Sequence, residues 1–255
     1  MEEGIKELLE EKYLQYNSKN FIENDPVLIP HLFAKKEDIE IAGFLAATIA
    51  WGNRKSIIKN ANSLMELMNG VPHEFILNYT NKDLRKFQLF VHRTFNGTDC
   101  TFFIQSLRNI YLKHHGLESA FTKGLKPNDL DIKNAIIHFR KLFIETKHQS
   151  RSEKHISDPE KNSSSKRLCM YLRWMVRNDK RGVDFGIWKK IKPLQLCLPL
   201  DIHTGNVSRK LGLLNRTQND WKAVEEITQT LRQLDPNDPI KYDFSLFGIG
   251  VNKEI

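Results

Sequence analysis

The chain has 255 residues, 40% hydrophobic and 27% charged, an ordinary globular composition with enough apolar material for one large core or two small ones. No apolar run approaches the roughly 20 residues that span a bilayer, and the opening Met1-Glu2-Glu3-Gly4-Ile5-Lys6-Glu7 is acidic and amphipathic, which argues against a secretory signal. A net charge of +8 favours anionic partners, and three scattered cysteines (Cys100, Cys169, Cys197) offer no disulfide framework or iron–sulfur spacing, which points to a reducing cytoplasm.

Helical periodicity dominates and period-two alternation is nearly absent, so the predicted class is all-α. A first helix is expected from Glu2 to Tyr16. After the Asp25-Pro26 turn and Pro30, a helical region begins near Asp38, with Ile41, Phe44, Leu45 and Ile49 on one face. Trp51-Gly52-Asn53-Arg54 interrupts it, and a second helix runs from Ser56 to Met68, ending at Asn69-Gly70. Further helices are predicted over Asn81–Phe90, Asp99–Lys113, Leu117–Thr122 and Asp129–Glu145. His148 to Ser165 is polar and breaker-rich and reads as a mobile loop.

Beyond that loop, Leu168, Tyr171, Leu172 and Met175 form an apolar stripe on a helix over Ser165–Arg177. Nine Lys and Arg against two Asp lie between Lys166 and Lys192, interleaved with Tyr171, Trp174, Phe185 and Trp188. Such a stretch suits nucleic-acid contact; a helix with a basic outer face and an aromatic inner face gives the same letters. Two more helices close the chain. One starts at Asn219 or Asp220 and carries Val224, Ile227, Leu231 and Leu234; the other starts at Asp238-Pro239 and ends near Gly248.

The most informative run is Pro199-Leu200-Asp201-Ile202-His203-Thr204, continuing to Arg209 and Lys210. Asp201 stands where a helix N-cap belongs, and the positive end of the helix dipole stabilises its anion. A fixed carboxylate followed by two cations suits chemistry that builds positive charge on a polyanion; plain capping is the alternative. Lys166 falls in the first turn of its helix, where the dipole disfavours a cation and so favours a nucleophilic neutral amine. A solvated surface lysine is the other reading.

Taken together, these blocks resemble the helix-hairpin-helix base-excision DNA glycosylases. In that superfamily a hairpin and a lysine-bearing helix precede a proline–x–aspartate–x–histidine segment, as in Pro199-Leu200-Asp201-Ile202-His203. The long separation of Lys166 from Asp201 is most similar to the archaeal 8-oxoguanine glycosylase branch. Met170, one turn after Lys166, matches a pocket methionine of that branch. Asp243 and Phe247 match an aspartate that bonds the extruded base and an aromatic that stacks on it. The run Ile41 to Ile57 resembles the element that fills the gap left by the extruded nucleotide. The blocks are also similar to an uncharacterised bacterial family that spans nearly the whole chain.

The resemblance implies a glycosylase-like fold of two helical subdomains, one at residues 30–147 and the other at residues 1–29 plus 148–255, flanking a cleft. It implies a bifunctional glycosylase and abasic-site lyase acting on an oxidised purine, with Lys166 as nucleophile and Asp201 stabilising the sugar cation. A non-catalytic, structure-specific nucleic-acid-binding protein of the same fold is the alternative. Met170, Trp174, Asp243, Phe247 and Trp51 are the implied substrate contacts; for Trp51 and Trp174 plain core is the rival, and for Asp243 a second N-cap or an ion pair with Lys241 or a nearby arginine. Asn53, Arg54, Ser163, Ser164, Ser165, Arg209 and Lys210 are the implied DNA contacts, with a simple loop as the alternative for Asn53 and Arg54, and His203 is assigned to local organisation of the cap. No cofactor or metal is expected, and the partner is damaged duplex DNA met by a cytoplasmic, nucleoid-associated monomer. Two departures stand out: Asn162-Ser163-Ser164-Ser165 replaces a glycine-rich hairpin, and Gly52-Asn53-Arg54 stands where the intercalating glutamine is common.

Overall fold

A computed structural model describes residues 3–255. The predicted start of the first helix, Glu2, lies outside the described residues. Those residues form α1 (Glu3–Tyr16), α2 (Lys19–Ile22), α3 (Lys36–Thr48), α4 (Arg54–Leu67), α5 (Pro72–Asn78), α6 (Asn81–Arg85) and, after one hairpin, α7 (Gly97–Lys113). They continue with α8 (Leu117–Thr122), α9 (Lys133–Phe143), α10 (Lys166–Val176), α11 (Ile202–Lys210), α12 (Trp221–Leu234) and α13 (Asp243–Asn252). The hairpin pairs β1 (Val91–His92) with β2 (Phe95–Asn96), antiparallel, with His92 opposite Phe95. The protein is mostly helical, as the periodicity predicts. No helix among the described residues is long and apolar enough to cross a membrane.

The chain divides into two compact units. The first comprises the described residues up to Phe21, then Pro127–Lys133 and Asp158–Ile255; the second comprises Ile22–Lys126 and Asn134–Ser157. In the second unit, α3 is buried along Ile39–Thr48. Its Phe44 packs against Phe103 of α7 and against Phe139 and Phe143 of α9, at ring-centroid distances of 6.0, 5.5 and 5.4 Å. Aromatic side chains at these spacings bury large areas and lock the helix crossings. In the first unit, α12 places Trp221, Val224, Ile227, Leu231 and Leu234 on one buried face, the period of an amphipathic helix. All of α10 from Leu168 to Val176 is buried, with Tyr171 edge-on to Trp188 at 5.5 Å.

Four local departures from the sequence reading have physical causes. The predicted helix over Asn81–Phe90 is α6 followed by a 3-10 turn at Lys86–Leu89. The one over Asp129–Glu145 shortens to α9, and Asp131 accepts the backbone N–H of Lys133 at 2.8 Å. Helix α7 starts two residues early because Asn96 and Asp99 form a reciprocal capping box. The stretch expected to be a mobile loop instead forms short 3-10 turns at Ser150–His155 and Pro159–Lys161. It is held by the buried Asp99 carboxylate, which accepts from Ser152 Oγ at 2.6 Å and Arg151 Nη1 at 2.9 Å.

Candidate active site

Asp201 is the N-cap of α11: its carboxylate accepts the backbone N–H of Thr204 at 3.0 Å, and the Thr204 hydroxyl accepts the backbone N–H of Asp201 at 2.8 Å. This reciprocal box fixes the carboxylate at the positive end of the helix. The cap is braced from behind by Asn219, which donates Nδ2–H to the Asp201 carbonyl at 3.0 Å and accepts from Arg209 Nη2 at 2.7 Å. Lys166 opens α10, and its Nζ lies 3.5 Å from Asp201 Oδ2. The two side chains retain 26% and 21% of their exposure, a setting in which an ion pair contributes only about 0–1 kcal/mol. Fold stability therefore gives little reason for a cation at the start of α10 facing a helix-capping anion.

Asp243 opens α13, 5% exposed and ion-paired to Arg173 of α10. Burial pushes its carboxyl up to about 6; Arg173 opposes the rise, the Asp201 charge adds to it and Lys166 opposes it. The amine and both carboxylates therefore lie within electrostatic reach of one another. Arg173 in turn bonds Asp184 at 3.3 Å, and Asp184 accepts from Arg177 Nη1 at 2.7 Å. Arg177 is fully buried and also bonds Asp179 at 2.9 Å and Asp238 at 2.8 Å. The basic insertion after α10 thus supplies Asp184 to a buried arginine–aspartate network rather than a free cationic loop.

The raised Asp243 value has a testable sign. The folded state holds this proton more tightly than the unfolded chain, so the stability that neutral Asp243 contributes is full below the ordinary aspartate value of 3.8 and is lost as pH rises through about 6. Urea unfolding of the wild type and Asp243→Asn across that window should show the wild type losing ground relative to the variant as pH rises. A pH-independent difference would contradict the assignment.

Met170, on α10, is 8% exposed. Trp174 is fully buried, so it is core and not an open pocket wall, and among the described residues its indole N–H has no partner. Phe247 is half-buried and meets the exposed His203 ring edge-on at 6.3 Å. Arg209 is committed within the first unit, to Asn219 and to the Arg216 carbonyl at 2.7 Å, so it serves the Asp201 cap rather than projecting as a free DNA contact. Lys210 is exposed beside a hollow of about 320 Å³ shared with Asn206 and Lys253.

The turn over Asn162–Ser165 has left-handed backbone at two positions, Asn162 and Ser165, with φ of 62° and 48°. Asn162 donates to the Asp220 carboxylate at 2.8 Å and its carbonyl accepts the Trp221 N–H at 3.2 Å, which ties this turn to α12. Ser163 bridges to Asp220, and its Oγ accepts the Ser165 N–H at 3.3 Å. Ser165 does not cap α10 through its side chain, and Ser164 is half-buried beside it.

Trp51, Asn53 and Arg54 belong to the second unit. Trp51 stacks on His155 at 5.8 Å, and Asn53 caps α4 by accepting the Ser56 N–H at 3.2 Å. Arg54 is the first residue of that helix.

Sequence reasoning missed Arg173, Asp184 and Asn219. Thr204 was visible as the third residue after a capping aspartate. Arg173 was detectable as a cation one turn past Met170 on an otherwise apolar face. Asp184 carries no local signal, and Asn219 is visible only as a candidate start of α12.

The model of the family described as "Protein of unknown function (DUF2400)" matches residues 25–252, which include both Lys166 and Asp201. No curated protein and no solved structure matches the chain. With nearly its whole length covered by that match, the chain belongs to the DUF2400 family.

Proposed function

We propose that this protein is a base-excision DNA glycosylase with abasic-site lyase activity, acting on an oxidised purine such as 8-oxoguanine. The observation that carries the reading is the Lys166 amine 3.5 Å from the capping carboxylate of Asp201, in a glycosylase-like sequence frame. The left-handed backbone at Asn162 and Ser165 and the start of α10, which lacks a side-chain cap, also support it, because a helix N-terminus without such a cap suits a DNA phosphate.

The extruded nucleotide presents C1′ to the amine. The N-glycosidic bond breaks, its electron pair leaves with the base, and positive charge develops on the sugar opposite Asp201. Lys166 gives its ammonium proton to the departing base, attacks C1′ through the freed amine and sheds a second proton to Asp201. Ring opening leaves a Schiff base between Nζ and C1′. Loss of the C2′ proton then expels the 3′ phosphate and nicks the strand. Asp243 sits on the same unit as an acceptor for purine N–H groups once Arg173 shares its carboxylate.

The test is incision of end-labelled duplexes carrying 8-oxoguanine, other oxidised purines or an undamaged control. The wild type should release the base and nick the strand, and Lys166→Ala should lose the nick. Duplex binding without base release from any lesion would replace the enzyme with a structure-specific binding protein.

A further inference from the structure

The Trp51–Arg54 loop carries a feature that the proposed chemistry leaves unused. Gly52 has φ of +102°, and a Cβ there would lie 3.0 Å from Arg93 Nη1 and 3.1 Å from Arg93 Cδ. The Arg93 side chain is therefore laid along this loop. Arg93 occupies the turn of the β1–β2 hairpin in the left-handed region, φ 55°, which an arginine adopts at some cost.

The hairpin is pinned to the same loop. His92 is 3% exposed, with Nε2 3.1 Å from the Trp51 carbonyl oxygen, Nδ1 2.8 Å from Asn60 Nδ2, and its ring edge-on to Trp51 at 5.1 Å. Arg151 Nη2 donates to the Thr94 carbonyl at 3.0 Å, which fixes the other turn residue. Turn, loop and α4 start thus form one rigid piece. The Arg93 guanidinium is exposed on it, and among the described residues no carboxylate or carbonyl accepts from it. Arg54 and Lys55 lie in the adjoining first turn of α4, which holds no acidic residue.

An exposed guanidinium laid over Gly52, with two further cations on the adjoining helix turn, suits an acceptor with a fork-matching pair of oxygens and a repeating negative charge. We propose that Arg93, laid over Gly52, binds a backbone phosphate of duplex DNA; the assignment rests on the DNA-directed function above. The arginine positions the strand at the Trp51–Arg54 loop and reads no sequence.

The test is a salt titration of binding to an undamaged, fluorescein-labelled duplex by the full chain, by Arg93→Asn and by Arg93→Lys. Asparagine tolerates the left-handed turn, so the hairpin is kept while the charge is lost. Arg93→Asn should flatten the log–log salt slope by about 1 and weaken binding roughly tenfold near 0.1 M salt, whatever the sequence. Arg93→Lys should keep the slope. A wild-type slope in Arg93→Asn overturns the Arg93 assignment and leaves the DNA reading standing. A wild type that binds no duplex even at low salt removes both.

Discussion

Asp201→Asn is expected to fold normally and to lose base release by a factor of roughly 10²–10⁴, the range that a positioned acid–base or charge-stabilising group supplies. The substitution separates the two roles of this residue. Asparagine caps helices about as well as aspartate, so the box with Thr204 survives and stability should change by less than about 1 kcal/mol, including the lost pair with Lys166. What disappears is the negative charge that, in the proposed mechanism, faces the developing sugar cation. Single-turnover base release, run beside thermal unfolding, reads both roles at once. Equal loss of activity and stability would mean that Asp201 acts through the fold alone.

Arg177→Met should be the most damaging substitution for stability. Arg177 is fully buried and bonds Asp179, Asp184 and Asp238; burial opposes its charge, and those three carboxylates hold it ionised. Methionine fills similar volume but leaves Asp184, whose side chain is wholly buried, facing only Arg173. Removing one partner of such a network costs about 3–5 kcal/mol, equivalent to a drop in Tm of roughly 10 °C for a chain of this size. The cost arises from a stranded carboxylate, so Arg177→Met combined with Asp184→Leu should recover part of it. Differential scanning calorimetry of the single and double variants tests this, and a double variant worse than the sum of its parts would contradict it.

The two expectations mark what was legible in the sequence. Asp201 and Lys166 are read by rules that act within one helical turn: Asp201 stands where capping puts it, at the start of α11, and Lys166 stands at the start of α10, where the dipole disfavours a cation. The amphipathic stripe of α12 was equally plain, because its period lies within one element. The arginine network was not legible, since Arg173 and Asp243 are 70 residues apart and Arg177 and Asp238 are 61 apart. Only tertiary packing pairs them. The β1–β2 hairpin escaped because each strand has two residues, too short for any alternation to register. The segment ending at Ser165 read as mobile from its polar letters, yet Ser152 and His155 are buried against Asp99. Composition does not reveal polar groups that satisfy one another.

The central claim is that the Lys166 amine, held beside Asp201, joins covalently to a sugar carbon after the base departs. Borohydride reduction during turnover of an 8-oxoguanine duplex, followed by peptide mapping of the adduct, tests it directly. The expected result is a stable protein–DNA cross-link on the peptide containing Lys166, absent from Lys166→Ala and strongly reduced in Asp201→Asn. A cross-link on another lysine, or one of undiminished yield in Lys166→Ala, would contradict it.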